Sequence, residues 1–258
     1  MQGAIIAEVE GPINDGRASL LEELAARAWP ALETERGDGW LLRRTPSVRR
    51  RRLNSALPLG SDHATIGEVE RFYRDRAMTP RVQVAPAEEL GALDAALHER
   101  GWRADGPTDI LVAAVDDVPA AVSAEVAVST RPAVDRSWLD AWIAAEGRPD
   151  AHETYAHVLR RVPSPAGFAV AHLEGLPAAV GLAVCERGWS GVFCMAVDPA
   201  ARRRGVARAL LRALADWSRE QGADGIYLQV ECDNAPAQAL YASMAFTRSH
   251  GYHFRIAP

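Results

Sequence analysis

Residues Val197 to Ala207, VDPAARRRGVA, set an apolar strand end, a turn marked by Asp198 and Pro199, and the run Arg202-x-x-Gly205-x-Ala207 directly before a helix. A helix N-terminus leaves about four backbone N–H groups without intrahelical partners, and with the positive end of the helix dipole they seat a phosphate. The residue types predict a pyrophosphate. Gly205 has no side chain, so a diphosphate can come against the backbone, and Ala207 keeps the next turn almost as open. Arg202, Arg203 and Arg204 add donors and charge at the same point. A match of this kind in isolation reads better as a solvated, arginine-rich helix start, so its surroundings must decide.

Those surroundings are regular. Val192 to Val197 is an apolar run that reads as a buried strand, and Ile226 to Glu231, IYLQVE, alternates as a second strand. Between them Val206, Leu210, Leu214 and Trp217 recur at helical spacing, with Gly222 as the stop. The unit is strand, phosphate loop, helix, strand. Asn234 then caps another helix with Pro236 in its first turn, Leu240, Tyr241 and Met244 follow, and Phe246 starts a final pair of strands through Tyr252, Phe254 and Ile256. Upstream, Val126 to Ser129 reads as a strand and Pro132 to Ala145 and Ala151 to Arg161 as helices. Phe168 to His172 and Ala178 to Glu186 read as a hairpin across Glu174 and Gly175.

With both motifs in view, residues 126–258 resemble the GNAT superfamily of acyl-CoA-dependent N-acetyltransferases. The match rests on (Arg or Gln)-x-x-Gly-x-(Gly or Ala) at Arg202 to Ala207, and on the later Asn, Leu-Tyr, Gly-Phe pattern at Asn234, Leu240, Tyr241, Ala245 and Phe246. Ala245 departs from the family's usual glycine. The resemblance implies acetyl-CoA as co-substrate. It implies that the backbone of Met195, Ala196 and Val197 pairs with the pantetheine arm like an added strand. It implies further that the amides of Arg203, Arg204, Gly205, Val206, Ala207 and Arg208 hold the pyrophosphate, and that Asn234 lies near the pantetheine. Tyr241 matches the tyrosine that gives a proton to the leaving thiolate. Its competing role is an aromatic packed on the core, for which Leu240 and Met244 are the better candidates.

The acceptor ammonium must also lose a proton before it attacks. Glu231, Glu186, His152 and His157 are available, each with an ordinary alternative that outweighs it: a solvent-facing strand-end charge for Glu231, a satisfied helix-surface residue for either histidine. Glu231, at the end of its strand beside the second motif, is carried as the candidate base. The implied reaction moves an acetyl group from acetyl-CoA to a primary amine of a small molecule or peptide by direct attack in a ternary complex. The rival, from another class, is a non-catalytic acyl-CoA sensor or interaction module. Tyr241 separates them, because an inert module needs no acid there. Acceptor pockets are built from loops and first helices, here Trp138 to Arg161, so Trp138, Trp142, Tyr155 and His157 are possible lining residues, although aromatics at helical spacing more often form core.

The first half repeats the element order without the chemistry. Asn54 to Leu59, Arg81 to Ala85 and Asp109 to Val115 read as strands, and Ile66 to Ala77 and Glu88 to Arg100 as helices, the order found from Val192 to Ile256. Aligning the second helices sets Gly101 on Ala245, Trp102 on Phe246 and Leu97 on Tyr241. The loop Gly60 to Thr65 has no Arg-x-x-Gly-x-Ala, and Asp62 would repel a diphosphate. Ser19 to Trp29 adds an amphipathic helix and Trp40 to Arg43 begins a strand. The fold class expected is α/β (α+β): two GNAT-like domains, a degenerate one over 1–122 and a catalytic one over 123–258. Each has a mixed, largely antiparallel central sheet flanked by helices, and the two are joined by the short acidic, alanine-rich stretch from Asp116.

Composition narrows the partners. The basic run Arg43, Arg44 and Arg49 to Arg52 invites nucleic acid, but the net charge is −5 and the pI about 5.8. Residues 1–125 hold 15 arginines against 21 acids, and 126–258 hold 14 against 13, so neither half suits a polyanion. The plainer reading is a strand pair with outward arginines; a narrower one has the run facing the groove between halves, meeting an acidic acceptor or the nucleotide 3′-phosphate. No segment is apolar enough to span a membrane, the N-terminal residues lack a signal peptide's basic region, and Cys185, Cys194 and Cys232 show no C-x-x-C spacing. A cytoplasmic monomer or homodimer with reduced thiols and no metal is expected.

Overall fold

The structure, a computed structural model, describes residues 16–60, 65–120, 125–146 and 151–258. Helix α1 (Arg17–Ala28) leads into β1 (Glu33–Gly37), β2 (Trp40–Arg44), a 3-10 turn (Arg51–Asn54), β3 (Ala56–Pro58), α2 (Ile66–Arg74), β4 (Arg81–Val84), α3 (Gly91–Glu99) and β5 (Arg103–Ala114). The second half runs β6 (Val126–Arg131), α4 (Arg136–Glu146), α5 (His152–Leu159), β7 (Ala166–Leu173), β8 (Leu176–Glu186) and β9 (Trp189–Val197). It continues through α6 (Val206–Glu220), β10 (Gly225–Glu231), α7 (Ala235–Ala242) and β11 (Thr247–Ile256). Asp62 and most of its loop, and part of the stretch joining the halves, lie outside the described residues.

The described strands make one mixed sheet in the order β1-β2-β3-β4-β11-β5-β10-β9-β8-β7-β6. Only β3 with β4 and β9 with β10 are parallel; the other neighbours are antiparallel. The halves exchange their last strands. β11 pairs with β4 from His253↔Val84 to Ile256↔Arg81, while β5 pairs with β10 from Gly225↔Ala114 to Glu231↔Thr108, and β5 and β11 also pair with each other. The segment expected as two strands after Phe246 is the single strand β11, kept continuous through two register shifts, at Arg248/His250 and Tyr252/Phe254.

The repeated halves close their second helices alike. Trp102 N donates to Leu97 O at 3.1 Å and Phe246 N to Tyr241 O at 3.1 Å, the 6→1 bond of a left-handed helix stop. Gly101 takes φ 80° in one and Ala245 φ 67° in the other, so the aligned positions have the same backbone geometry. A methyl group in that region clashes with its own carbonyl, at a cost of about 1–2 kcal/mol.

Helices cover both faces. Leu210, Leu211, Leu214 and Ala215 of α6 pack with Tyr241, Met244 and Phe246 on one face, against Ile226, Leu228 and Val230 of β10. On the other, Trp138 and Trp142 of α4 and Tyr155 of α5 pack with Trp29, Phe168 and Leu182. Aromatic contacts fix that side: Trp142 meets Tyr155 edge-on at 4.9 Å and Trp29 at 5.8 Å. Burying one such side chain contributes on the order of 2–3 kcal/mol.

The basic run does not behave as one cluster of outward arginines. Arg43 is fully buried: its guanidinium donates to Ser55 O at 3.1 Å, Ser55 Oγ at 2.9 Å and Gln83 Oε1 at 2.7 Å. Gln83 Nε2 in turn donates to Glu22 Oε2 at 2.9 Å, and His250 Nε2 lies 3.1 Å from Glu22 Oε1. Burial pushes Arg43 down to about 10, so it remains charged at neutral pH. Strand alternation put it inward, and this chain of polar partners from α1, β2, β4 and β11 compensates its desolvation.

Candidate active site

The sheet opens at its centre. β9 stays on β8 as far as Val197↔Ala179, but its parallel ladder with β10 ends at Val192↔Leu228. Just past that point Cys194 takes φ 55°, opposite the register shift between Val180 and Leu182. A bulge there bends the strand and increases its twist, so Phe193–Val197 and Gln229–Glu231 part from one another. Backbone polar groups on the β10 side of Met195, Ala196 and Val197 therefore face a gap. Met195 reaches the wall of a cavity of about 710 Å³ at this gap, and Ala196 and Val197 continue the open edge beyond it.

At the outer end of β9, Asp198 Oδ1 accepts from Ala200 N at 2.8 Å and fixes the tight turn before the arginines. Arg202 is extended, and Arg203 at φ 63° and Gly205 at φ 81° take the left-handed conformation just before α6, so the chain turns sharply there and can present successive N–H groups to one concavity. Arg202, Arg203, Arg204 and Gly205 are exposed, and Gly205 offers α6 no side-chain cap. Among the described residues, the backbone amides from Arg203 to Arg208 have no hydrogen-bond partner, whereas Ala209 N returns to Gly205 O at 3.1 Å. Val206 is buried and anchors the helix start, while Ala207 is half-buried. Arg204 pairs with Glu174 at 2.5 Å, and Arg208 donates to Ser243 Oγ at 2.6 Å. The side chains of Arg202 and Arg203 make no hydrogen bond or ion pair with a described residue.

Helix α7 brings up the second motif. Asn234 Oδ1 accepts from Ala237 N at 3.2 Å as the helix cap, and the residue also lines the cavity, with its Nδ2 free among the described residues. Tyr241 lines the cavity one helix turn beyond Ala237 and is 7% exposed. It belongs to the core cluster with Phe246, at 6.0 Å between ring centres, and Leu240, expected as the better core residue, is only half-buried. Core packing and a place at the cavity are thus compatible for Tyr241. Burial pushes its phenol up to about 12, so the hydroxyl keeps its proton at neutral pH.

The opposite wall joins arginines of the first half to residues of β10, β11 and α4. Glu231 reaches the cavity and accepts from Arg51 Nη1 at 2.9 Å; Arg51 Nε also donates to Asp105 Oδ2 at 2.8 Å. Arg52 bonds Gln229, and Trp29, Trp142, Tyr252 and Phe254 supply aromatic surface. Sequence reasoning preferred outward strand arginines for this run and held the groove between the halves as the narrower reading; Arg49 to Arg52 line the cavity there. The remaining candidates lie elsewhere. His152 contacts Asp140 Oδ1 at 2.7 Å on the helix surface, Glu186 pairs with Arg27, and His157 is exposed. Trp138 and Tyr155 are core, with Trp138 Nε1 donating to Ala169 O at 2.9 Å, and of the α4 aromatics Trp142 reaches the cavity.

Comparison with known proteins places this geometry. Residues 17–255 match the family model described as "Probable histone acetyltransferase Rv0428c C-terminal". The chain is 26% identical over 243 residues to the "Uncharacterized N-acetyltransferase YobR" of Bacillus subtilis, covering 92% of this chain and 97% of that protein. Among solved structures, a GCN5-related N-acetyltransferase from Kribbella flavida shares the fold at TM-score 0.66 and 16% identity, over 95% of each chain. A tandem GNAT protein from the clavulanic acid biosynthesis pathway shares it at TM-score 0.58 and 14% identity, over 96% of each.

Proposed function

The chain belongs to the Rv0428c C-terminal family of GNAT acetyltransferases, and from that premise we propose that it moves an acetyl group from acetyl-CoA to a primary amine by direct attack in a ternary complex. The observation that carries the cofactor assignment is the row of free amides from Arg203 to Arg208 at the start of α6. Six consecutive donors, two left-handed turns and an uncapped helix end fit a diphosphate better than any neutral group. Arg202 and Arg203 add charge at the rim.

When bound, acetyl-CoA supplies an activated acyl group as a thioester. The open edge of Met195, Ala196 and Val197 offers strand-like hydrogen bonds to the amide groups of the pantetheine arm, and the Asn234 Nδ2 is a further donor beside it. Glu231 takes the proton from the acceptor ammonium, and Arg51 orients its carboxylate. Tyr241, neutral because it is buried, gives its proton to the departing sulfur. The gap between β9 and β10 lets these two groups act on one reaction from opposite faces of the sheet.

Calorimetry with coenzyme A, run beside thiol release from acetyl-CoA with pooled amines, tests the reading. Saturable uptake and amine-dependent thiol release are expected. Gly205→Asp, which places a carboxylate among the free amides, should weaken uptake by at least about tenfold. No uptake by the unaltered protein defeats the proposal; tight uptake with no thiol release reassigns the chain as an acyl-CoA-binding module.

A further inference from the structure

We infer that the acceptor is an amine carrying an anionic group, a carboxylate or a phosphate, received by the arginines that form the first half's wall of the cavity. The inference rests on the acetyl-transfer reading and deepens it.

The cavity passes through the sheet. Tyr241 and Ala237 reach it from the face covered by α6 and α7, and Trp29 and Trp142 from the face covered by α1 and α4. Alternation along β10 sends Leu228 and Val230 to the first face and Gln229 and Glu231 to the second. None of Arg202 to Arg208 lines the cavity, so the diphosphate seat and the arginine wall are separate places. A thioester arriving from the α6 side leaves the arginine side for the acceptor.

That side carries excess positive charge. Among the described residues, the lining holds the guanidiniums of Arg49, Arg51 and Arg52 against the one carboxylate of Glu231. Asp105 and Glu231 together neutralise Arg51. Arg52 finds only the neutral amide of Gln229, and its Nε is buried without a hydrogen-bond partner, as is Nε2 of Gln229. A buried donor left unmade costs far more than an exposed one, and an anionic acceptor group supplies what these donors lack. The guanidiniums are held in place by rings: Arg50 lies 5.9 Å from the centre of Trp142, Arg51 5.9 Å from Phe254 and Arg52 6.0 Å from Tyr252. One end of the wall therefore suits an ammonium at Glu231 and the other an anion at Arg49 and Arg52. A lysine-rich peptide meets repulsion from the charges of Arg49 and Arg52.

The test uses matched amines with the full chain: phenylalanine, phenylalanine amide and 2-phenylethylamine, then phosphoethanolamine against ethanolamine, and a lysine-rich peptide. Acetyl transfer is measured by thiol release, and amine uptake by calorimetry with coenzyme A present. The carboxylate or phosphate member of a set is expected to have a kcat/KM at least about tenfold above its neutral partner and above the peptide. Which set responds separates carboxylate from phosphate. Arg49→Glu, at an exposed position, and Arg52→Gln should each abolish most of that preference while coenzyme A affinity stays unchanged. Equal or better use of the neutral amines or the peptide overturns the inference, and so does loss of coenzyme A affinity in the arginine variants with preference retained. If no amine is acetylated, uptake still decides: arginine-dependent uptake of the anionic amines upholds this inference while the transfer reading fails, and uptake blind to the anionic group ends it.

Discussion

Arg51 Nη1 donates to Glu231 Oε1 at 2.9 Å across 180 residues of sequence, joining the 3-10 turn of the first half to the end of β10. The carboxylate offered as general base is thereby oriented by the half that lacks the phosphate loop. Glu231→Gln should lower kcat for amine acetylation by roughly a hundredfold or more. Coenzyme A affinity should be unaltered, because Glu231 lies on the other face from α7. Arg51→Met removes only the orientation, so a smaller loss, about tenfold, is expected. Steady-state thiol release with calorimetry beside it reads both; an unchanged kcat in Glu231→Gln removes it as the base.

Tyr241→Phe should lower kcat by about a hundredfold with little change in coenzyme A affinity. The pH dependence has a definite sign. An acid works while protonated, and a phenol pushed up to about 12 stays protonated throughout the assay range. The rate profile should therefore show no alkaline limb from Tyr241 below about pH 10. A limb near pH 8 that vanishes in Tyr241→Phe contradicts this.

Ala245→Gly should stabilise the protein by roughly 0.5–1 kcal/mol, the left-handed strain relieved less the unfolded-chain entropy gained. The aligned change in the other half has the opposite sign. Gly101→Ala meets no atom within 4 Å, so its cost is backbone strain alone, roughly 0.5–1 kcal/mol. Urea unfolding of both variants checks the pair, and equal signs would break the equivalence of the two helix stops.

Asp94 on α3 ties the first half to β11. A hydrogen bond from Arg255, assisted by His253 against the opposing effect of burial, brings its carboxyl down to about 2 from an ordinary 3.8. Because the folded value is the lower, the unfolded chain takes up the proton first as pH falls. The contact's stabilisation, about 2 kcal/mol, is present above pH 4 and lost as pH drops through about 2. Asp94→Asn should reduce stability at pH 7 and flatten its fall between pH 4 and 2, read by urea unfolding across that range.

Much of this was legible from residue order, because local rules fix local structure. The strand, loop, helix and strand around Gly205, the cap at Asn234 and the matched stops at Gly101 and Ala245 each depend on a few adjacent residues. What the sequence concealed is set by distant pairing. Alternation alone could not say that Arg43 faces Ser55 and Gln83 in the interior, nor that Arg51 meets Glu231, since both depend on which strand lies beside which. The single strand β11 looked like two because its bulges interrupt the period on which strand recognition relies. Tyr241 looked like a choice between packing and chemistry because the sequence does not show that a cavity cuts into the core.

The crossing of β5 and β11 also sets a timetable. β4 has β3 on one side from the start, but it meets its second ladder partner only when His253 to Ile256 arrive, and these follow every other strand in the order of synthesis. On the ribosome the first half must wait with an open sheet edge, exposed to whatever strand comes near. It cannot be finished early and parked beside its twin.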